Sequence, residues 1–385
     1  MDVRKRLLIL ALGFGLMGIG AYQINHQKSK HYQEKRRHCP RSAGFHSAHY
    51  SILDKTDFPE SAYQTMFSRT FGVQDGQSLQ VDIPIGDVRI ETSERNKAHI
   101  EFKMASHDSR KAKAFFDRLM FNVTQEGSLV RVFSQKDRHW STWEDDPSGN
   151  ANIRVILRIP KSFNVHIRTG IGDISTQALV GEVRLSSDAG DISTESISGN
   201  TIEIQTEAGD ISTGNLTGNV RIDTNAGDIN LGVVKAFHRL DIHSAAGSIE
   251  ADQLHANQIS IRSEAGDIAV REVKGTTEIK TQAGNISIQH MFGKLEAISE
   301  AGDVEVRLHE CSGASLDTET GDIEISVPES FGAILDLKGS EVEVSSEIAT
   351  QQNDTGTIRT ELNGGGPLIE ARTGVGSISL TAFDH

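Results

Sequence analysis

A motif that recurs through this chain reads Thr206-Glu207-Ala208-Gly209-Asp210-Ile211-Ser212-Thr213. Its Gly-Asp step also stands at Gly172-Asp173, Gly190-Asp191, Gly227-Asp228, Gly266-Asp267, Gly302-Asp303 and Gly321-Asp322. Weaker copies, without the aspartate, stand at Gly247-Ser248, Gly284-Asn285, Gly339-Ser340, Gly356-Thr357 and Gly376-Ser377. Successive glycines lie 17 to 20 residues apart. A repeat of this length is one supersecondary unit, which buries its apolar face only by stacking on its neighbours.

The residues of one repeat follow the polarity pattern of β-strands. Apolar or small residues alternate with polar ones from Ile202 to Ala208, which is the period of a half-buried strand. The Gly-Asp step then breaks the alternation, since glycine tolerates unusual backbone angles and aspartate can bond nearby backbone. We therefore predict that each repeat is a strand, a Gly-Asp corner, a second strand and a second glycine corner.

Strands of this kind can pair only with the equivalent strand of the next repeat, in parallel, at about 4.8 Å. The predicted fold is all-β, a parallel β-helix or β-solenoid of about a dozen coils of 17–20 residues. The leucine-rich consensus is absent, and calcium-binding nonapeptide repeats have half this period. Inside the coils we expect Ile204 and Ile222 to face the core, whereas Ile298 should face outward.

Composition limits the possible partners and cofactors. The 385 residues carry a net charge of −14, which argues against nucleic acid as a partner, and only 5% are aromatic. The two cysteines, Cys39 and Cys311, form neither a disulfide framework nor a zinc pattern. A bridge between them is the less favoured alternative to two free thiols. No cofactor and no metal site are predicted.

The N-terminal segment, residues 1–22, has the pattern of an export signal. Arg4, Lys5 and Arg6 precede an apolar run at residues 7–21. The run fits both a cleaved signal peptide and an uncleaved signal anchor that would hold the protein in the membrane through residues 7–22. Either interpretation predicts an exported protein of the periplasm, the membrane-anchored envelope or the cell surface.

The rest of the chain divides into three parts by composition. Residues 23–67 form a polar, basic, histidine-rich linker, for which solvation is favoured over weak metal binding or contact with anionic lipid. Residues 68–164 are predicted to form an N-terminal β-rich cap and the first coils, with one short helix at residues 109–121. Residues 165–385 form the repetitive solenoid, in which the C-terminal residues are expected to build the last coil.

Two features are candidate binding sites. Trp140 and Trp143 stand in a polar loop, where they either contact a ligand or cover the open end of the core. The corner carboxylates form a row that caps turns or holds calcium: Asp173, Asp191, Asp210, Asp228, Asp267, Asp303 and Asp322. Capping is favoured, because Ser248, Asn285, Ser340, Thr357 and Ser377 keep a polar acceptor at that position and lose the charge.

The sequence shows no catalytic constellation. The histidines of the repeats, from His166 to His309, lack metal-site spacing, and no Gly-x-Ser-x-Gly elbow or phosphate loop occurs. We therefore predict a protein that is not an enzyme and has no catalytic residues.

Several segments together resemble a known family. Gln77-Ser78-Leu79-Gln80-Val81 leads to Gly86-Asp87-Val88-Arg89-Ile90, and Val155-Ile156-Leu157-Arg158-Ile159-Pro160 precedes Thr169-Gly170-Ile171-Gly172-Asp173-Ile174. Ala-Gly-Asp-Ile corners follow, and the triglycine 364–366 opens the last coil. The chain resembles the bacterial putative-adhesin, or toast-rack, family over residues 68–381. The resemblance implies a right-handed β-helix, an envelope location and no enzymatic activity.

The resulting functional hypothesis is a non-enzymatic exported envelope protein, an adhesin or scaffold that presents a repetitive acidic surface to glycans or other surface proteins. Two alternatives stay open. One is a carbohydrate-active enzyme built on a β-helix, and the other is an envelope-stress sensor domain anchored by residues 7–21.

Overall fold

The computed structural model of the protein describes residues 58–93, 95–107, 109–135, 151–345 and 356–383. The export segment, the linker up to residue 57, Cys39, Trp140 and Trp143 lie outside these ranges, so their predictions are not addressed by it. Within these ranges, no helix is both long and apolar enough to cross a membrane.

Strands make up most of the described chain. The helical elements in these ranges are a 3-10 turn, Glu60–Ala62, and helix α1, Ser109–Arg118. The strands are β1 (Gln64–Gly72), β2 (Ser78–Ile85), β3 (Asp87–Ser93), β4 (Lys97–Ala105), β5 (Phe121–Glu126), β6 (Leu129–Ser134), β7 (Asn152–Pro160), β8 (Asn164–Ile171), β9 (Ile174–Thr176), β10 (Leu179–Val180), β11 (Val183–Ala189), β12 (Ile192–Ala208), β13 (Ile211–Ala226), β14 (Ile229–Ala246), β15 (Ile249–Ala265), β16 (Ile268–Ala283), β17 (Ile286–Ala301), β18 (Val304–Thr320), β19 (Ile323–Pro328), β20 (Ala333–Lys338), β21 (Glu341–Val344), β22 (Thr357–Leu362), β23 (Leu368–Val375) and β24 (Ser377–Phe383).

Helix α1 confirms the helix predicted from the sequence, although it ends earlier than expected. The prediction ran to Phe121, but Phe121 begins β5 and pairs with Ser134 of β6 in an antiparallel hairpin. Met120, at the junction, has a positive φ of 50°. Phe121 therefore forms strand hydrogen bonds, although the sequence pattern had placed it at the end of the helix.

Strands β12 to β18 stack in parallel, as the repeat predicted. Ile192 pairs with Ile211, and Ile211 pairs with Ile229 in the next strand. The same register continues through β15, β16, β17 and β18. Because each strand pairs with its equivalent one repeat later, identical positions form straight rows across the sheet. The predicted all-β stack of parallel coils is confirmed.

Alternation within each long strand sends its apolar residues to a shared core. In β13, the residues Ile211, Leu216, Val220 and Ile222 are buried, whereas Arg221 between two of them is exposed. Ile204 and Ile222 are 1% and 0% exposed, as predicted. Ile298 is only partly buried, while Leu295 and Ala297 beside it are fully buried, so its predicted outward position is also confirmed. The buried apolar residues named here belong to one apolar cluster that extends from Val73 to Leu380.

The coils at the C-terminal end do not stack in sequence order. Strand β23 pairs in parallel with β18 on one side and β20 on the other. Strand β24 likewise pairs with β19 and β21. The coil formed by β23 and β24 therefore lies between two coils that precede it in the chain. The expectation that this segment forms the last coil of the stack is wrong.

One of the weak corners also differs from its predicted role. Strand β22, which follows Gly356, runs antiparallel to β20 and pairs Thr357 with Lys338. Gly339 donates its N–H to the carbonyl oxygen of Gly356. Gly356-Thr357 therefore leads into an antiparallel edge strand, since a turn signal does not specify the strand that the next segment pairs with. Gly339-Ser340 instead joins β20 to β21, which pair in parallel with β23 and β24, as a coil corner does.

The first coils are also built from segments distant in sequence. Strands β2 and β3 lie in parallel against β8 and β9, and on their other side against β6 and β7. Strand β4 closes this end as an antiparallel partner of both β7 and β1. Antiparallel strands therefore stand outside the parallel coils at both ends.

Candidate functional site

The corner aspartates form a hydrogen-bonded row along the stack. One carboxylate oxygen of Asp210, Oδ1, accepts the backbone N–H of Asp228 at 2.9 Å. Asp210 in turn donates its own N–H to Oδ1 of Asp191, also at 2.9 Å. Equivalent bonds are accepted by Asp87, Asp173, Asp228, Asp267, Asp303 and Asp322.

This arrangement corrects one detail of the sequence interpretation. That interpretation assigned each carboxylate to the backbone of its own turn, whereas the N–H that it accepts belongs to the next coil. The reason is the direction of the backbone groups, which point toward neighbouring strands in a parallel stack. Each aspartate therefore links two coils.

The substitutions in the row are not equivalent. Asn285 keeps the arrangement, because it donates its N–H to Asp267 and its side-chain oxygen accepts the N–H of Asp303 at 2.8 Å. Ser248 donates its N–H to Asp228, but in the described part of the chain its side chain makes no such bond to Asp267. The row then passes from Asp322 directly to Ser377. Ser340, in the next coil of the stack, donates its N–H to the carbonyl oxygen of Gly376, and Thr357 begins the antiparallel strand β22.

The local environments at the two ends of the row shift the pKa of the aspartate there in opposite directions. Burial raises the pKa of Asp87, and the nearby charge of Asp173 adds to this effect. Hydrogen bonds from the N–H and the hydroxyl of Ser377 lower the pKa of Asp322. Among the residues described, no three His, Cys, Asp or Glu side chains come close enough together to hold a metal ion.

A second row, inside the coils, was missed by the sequence reasoning. The hydroxyl of Thr206, which is 1% exposed, donates to the carbonyl oxygen of Gly190 at 3.0 Å. The same contact to a corner glycine is made by Thr169, Ser187, Thr224, Ser244, Ser263, Thr281, Ser299, Thr318 and Thr373. The sequence does contain a serine or threonine three residues before each of these corners, and this recurrence could have predicted the inner row.

The corner glycines are required by close packing of the backbone. A Cβ atom on Gly209 would lie 2.1 Å from the carbonyl oxygen of Gly190. The same approach repeats at Gly227, where the distance to the carbonyl oxygen of Gly209 would be 1.9 Å. The Gly-Asp step therefore supplies two things, a backbone that permits close stacking and an acceptor that joins the coils.

The outer face between the corners carries rows of charged residues. Arg184, Glu203, Arg221 and Asp241 occupy equivalent positions on four consecutive coils. Arg184 and Glu203 form an ion pair at 2.8 Å. The alternating signs keep the row from acting as one basic patch.

A groove of about 280 Å³ interrupts this face. Its walls include Arg239, Glu278, Lys294 and Glu296, and the buried Ser260 lies between them. Hydrogen bonding from Lys280 lowers the pKa of Glu278, and Arg262 pairs with the same carboxylate at 2.7 Å. The groove is therefore a charged surface on which the carboxylate of Glu278 stays ionised near neutral pH.

Comparison with known families agrees with this architecture, a parallel β-solenoid with repeated corners. The model of the Toastrack DUF4097 family matches residues 76–236 and again residues 216–380. The chain belongs to the toastrack DUF4097 family, which confirms the resemblance noted in the sequence.

Several crystal structures of bacterial proteins are similar to this chain. A putative adhesin from Parabacteroides merdae is 12% identical, with a TM-score of 0.30 over 84% of this chain and 97% of the other. A putative adhesin from Parabacteroides distasonis is 11% identical, with a TM-score of 0.32 over 82% and 96%. A putative lipid binding protein from the same species is 12% identical, with a TM-score of 0.27 over 84% and 98%. No curated protein matches the sequence.

Proposed function

We propose that this protein is a non-enzymatic, exported β-solenoid that acts as a scaffold or adhesive surface of the cell envelope. The observation that carries the proposal is the parallel register, which places equivalent outward residues of consecutive coils in rows at about 4.8 Å. A polymer or a flat surface can then make the same weak contact with several coils at once. Linked weak contacts add to a much larger avidity without any single strong site.

The charge of the surface favours a polar partner. The corner row presents exposed carboxylates, and the charged groove adds Arg239 and Lys294 beside Glu278. Envelope glycans and other surface proteins offer hydroxyl, amide and cationic groups that such a face can bind. The net charge of −14 makes nucleic acid a poor partner.

Export to the envelope is supported by the basic residues and the apolar run at residues 4–21. Fractionation of cells that produce the full chain tests this part of the proposal. Recovery in the envelope or the medium is expected, and recovery in the cytoplasm alone would contradict it.

A glycan array, with release of reducing sugar measured on the same ligands, tests the non-enzymatic role. Binding without release is expected, and it should strengthen when the glycan is displayed at higher density. Release that increases with time and with protein concentration would instead indicate a carbohydrate-active enzyme.

A further inference from the structure

Two histidines of neighbouring coils meet on the outer face of β17 and β18. The Nδ1 atom of His290 lies 2.8 Å from the Nε2 atom of His309. At this distance one nitrogen donates its proton to the lone pair of the other, so the two contacting nitrogens cannot both be protonated. The two residues are one repeat apart in sequence, which is why the fold brings them together.

Aromatic rings pack against one member of this pair, His309. The ring of Phe292 stacks on His309 with centroids 5.3 Å apart, and the ring of Phe383 lies 4.9 Å from His309. Lys274 lies over Phe292, and Arg307 lies over Phe383. His309 is therefore oriented by packing, as a metal ligand must be if binding is not to cost side-chain entropy.

We propose that His290 and His309 form a binding site for a transition-metal ion, with copper(II) preferred. Imidazole nitrogens bind such ions at about 2.0–2.1 Å. With the two nitrogens 2.8 Å apart, two bonds of that length enclose an angle of about 86°. This angle fits two adjacent positions of a tetragonal copper(II) or nickel(II) centre, whereas a tetrahedral zinc centre needs a separation of about 3.3 Å.

Binding requires a small rearrangement of the pair. The proton shared between the rings moves to the far nitrogen of its own ring, so that both facing nitrogens present lone pairs. The ring of His290 then turns until its lone pair points to the ion, while His309 keeps its packed orientation, and water completes the coordination. Two imidazoles suffice for a site of modest affinity, and copper(II) binds nitrogen ligands more tightly than the neighbouring divalent metals do.

Nearby charges affect the site in predictable ways. Glu272, the register partner of His290, bonds His255 at 2.8 Å and Lys274 at 2.9 Å, so its carboxylate is already engaged. Protons compete with a metal ion for imidazole nitrogens. Copper binding should therefore weaken in acid.

The test compares three variants of the full chain: His290→Gln, His309→Gln and, as a matched control, His243→Gln. Glutamine keeps hydrogen-bonding groups but is a poor metal ligand, and His243 lies in an earlier coil and in a different row, with Asp223 and Arg262 as its register partners. The histidines of residues 26–49 are unchanged in every variant, so differences among variants report on the pair. Melting temperature and copper affinity are measured with Cu²⁺, Zn²⁺ and Mg²⁺.

Copper should raise the melting temperature of the wild type and of His243→Gln equally, because an ion that binds only the native state stabilises it. The rise should be smaller with zinc and absent with magnesium. Loss of a residue that merely orients a ligand costs about 10- to 100-fold in affinity, so either pair variant should lose at least as much. A pair variant that keeps the full copper shift would overturn the proposal.

Electron paramagnetic resonance of the copper-loaded protein gives a second readout, which does not depend on the melting temperature. Hyperfine splitting from two coordinated nitrogens is expected, and this signal should be lost in His290→Gln. A wild-type spectrum without nitrogen splitting, or no copper shift in the wild type, would overturn the proposal even if a variant failed to fold.

Discussion

At the residue scale, most of the Gly-Asp corners depend on one side-chain oxygen that belongs to the preceding coil. Changing Asp210 to alanine removes the acceptor for the N–H of Asp228. We expect a loss of about 1 kcal/mol in the free energy of unfolding, the usual cost of removing such a bond. Asp210→Asn should leave stability unchanged or slightly raised, because Asn285 already performs this role in the native chain. Chemical unfolding of both variants provides the measurement.

Ser248→Ala is the matched control at an equivalent corner, because the side chain of Ser248 makes no bond to Asp267 in the described structure. Its effect should stay within about 0.5 kcal/mol. If Asp210→Asn were as destabilising as Asp210→Ala, the role of the aspartate would depend on its charge and not on its acceptor oxygen.

The inner hydroxyls provide a second residue-scale prediction, with opposite outcomes for one substitution at two sites. Thr206→Val removes the bond to the carbonyl of Gly190 and should cost about 1 kcal/mol. Thr213 is also buried, at 7% exposed, but its hydroxyl has no partner in the described residues. Thr213→Val should therefore be neutral or stabilising, and Leu231 already stands at that position in the next coil. Thermal melts that showed equal losses for both would contradict the assignment of the inner row.

At the element scale, the corner is limited by the approach of one backbone to the next. A Cβ on Gly209 would meet both the carbonyl oxygen and the carbonyl carbon of Gly190, at 2.1 and 2.5 Å. Backbone atoms cannot yield locally, so Gly209→Ala should cost about 4 kcal/mol or more. Gly72 in β1 has no atom within 4 Å of an added Cβ. Gly72→Ala should change stability by no more than about 0.5 kcal/mol, and an equally mild effect of Gly209→Ala would show that the corners stack less closely.

The corner row as an element should not respond to calcium specifically. Each Oδ1 already accepts an N–H, and calcium prefers six to eight oxygen ligands that converge on one point. We expect Ca²⁺ to move the melting temperature no more than Mg²⁺ does at equal ionic strength. A large rise with calcium alone, reversed by a chelator, would instead identify the row as a metal site.

Much of this element could be predicted from the sequence, because the Gly-Asp corners and the alternation around Ile204 depend on local patterns. The partner of each aspartate could not be found locally, since the N–H that it accepts stands 18 or more residues away. The contact between His290 and His309 was missed for the same reason. Its available signal was the period itself, because the two histidines stand 19 residues apart.

At the scale of the whole molecule, the sequence predicts which segments form coils better than it predicts the order in which those coils stack. From Gly172 to Gly321 each corner follows the last in space, because each strand pairs with its neighbour in the chain. After Gly321 the next corner in the stack is Gly376. The hydrogen bond from the N–H of Gly321 to the carbonyl oxygen of Val375 shows this contact. Gly339 follows Gly376 in the stack although it precedes it in the chain, and Gly356 belongs to the antiparallel edge. A local turn signal cannot distinguish these cases, since strand order depends on long-range pairing.

The order of the coils can be tested by disulfide cross-linking. In the structure, Glu370 lies in register between Ser315 on one side and Asp336 on the other. Neighbouring strands lie about 4.8 Å apart, within the range that a disulfide spans, whereas Ser315 and Asp336 should be separated by about twice that distance. All variants should carry Cys39→Ser and Cys311→Ser, so that only the introduced pair can react.

The most direct measurement is the identification of linked peptides by mass spectrometry after mild oxidation of two double variants. The stack predicts a disulfide in Ser315→Cys with Glu370→Cys and none in Ser315→Cys with Asp336→Cys. A disulfide in the second variant and none in the first would show that the coils stack in sequence order, contradicting the inserted C-terminal coil.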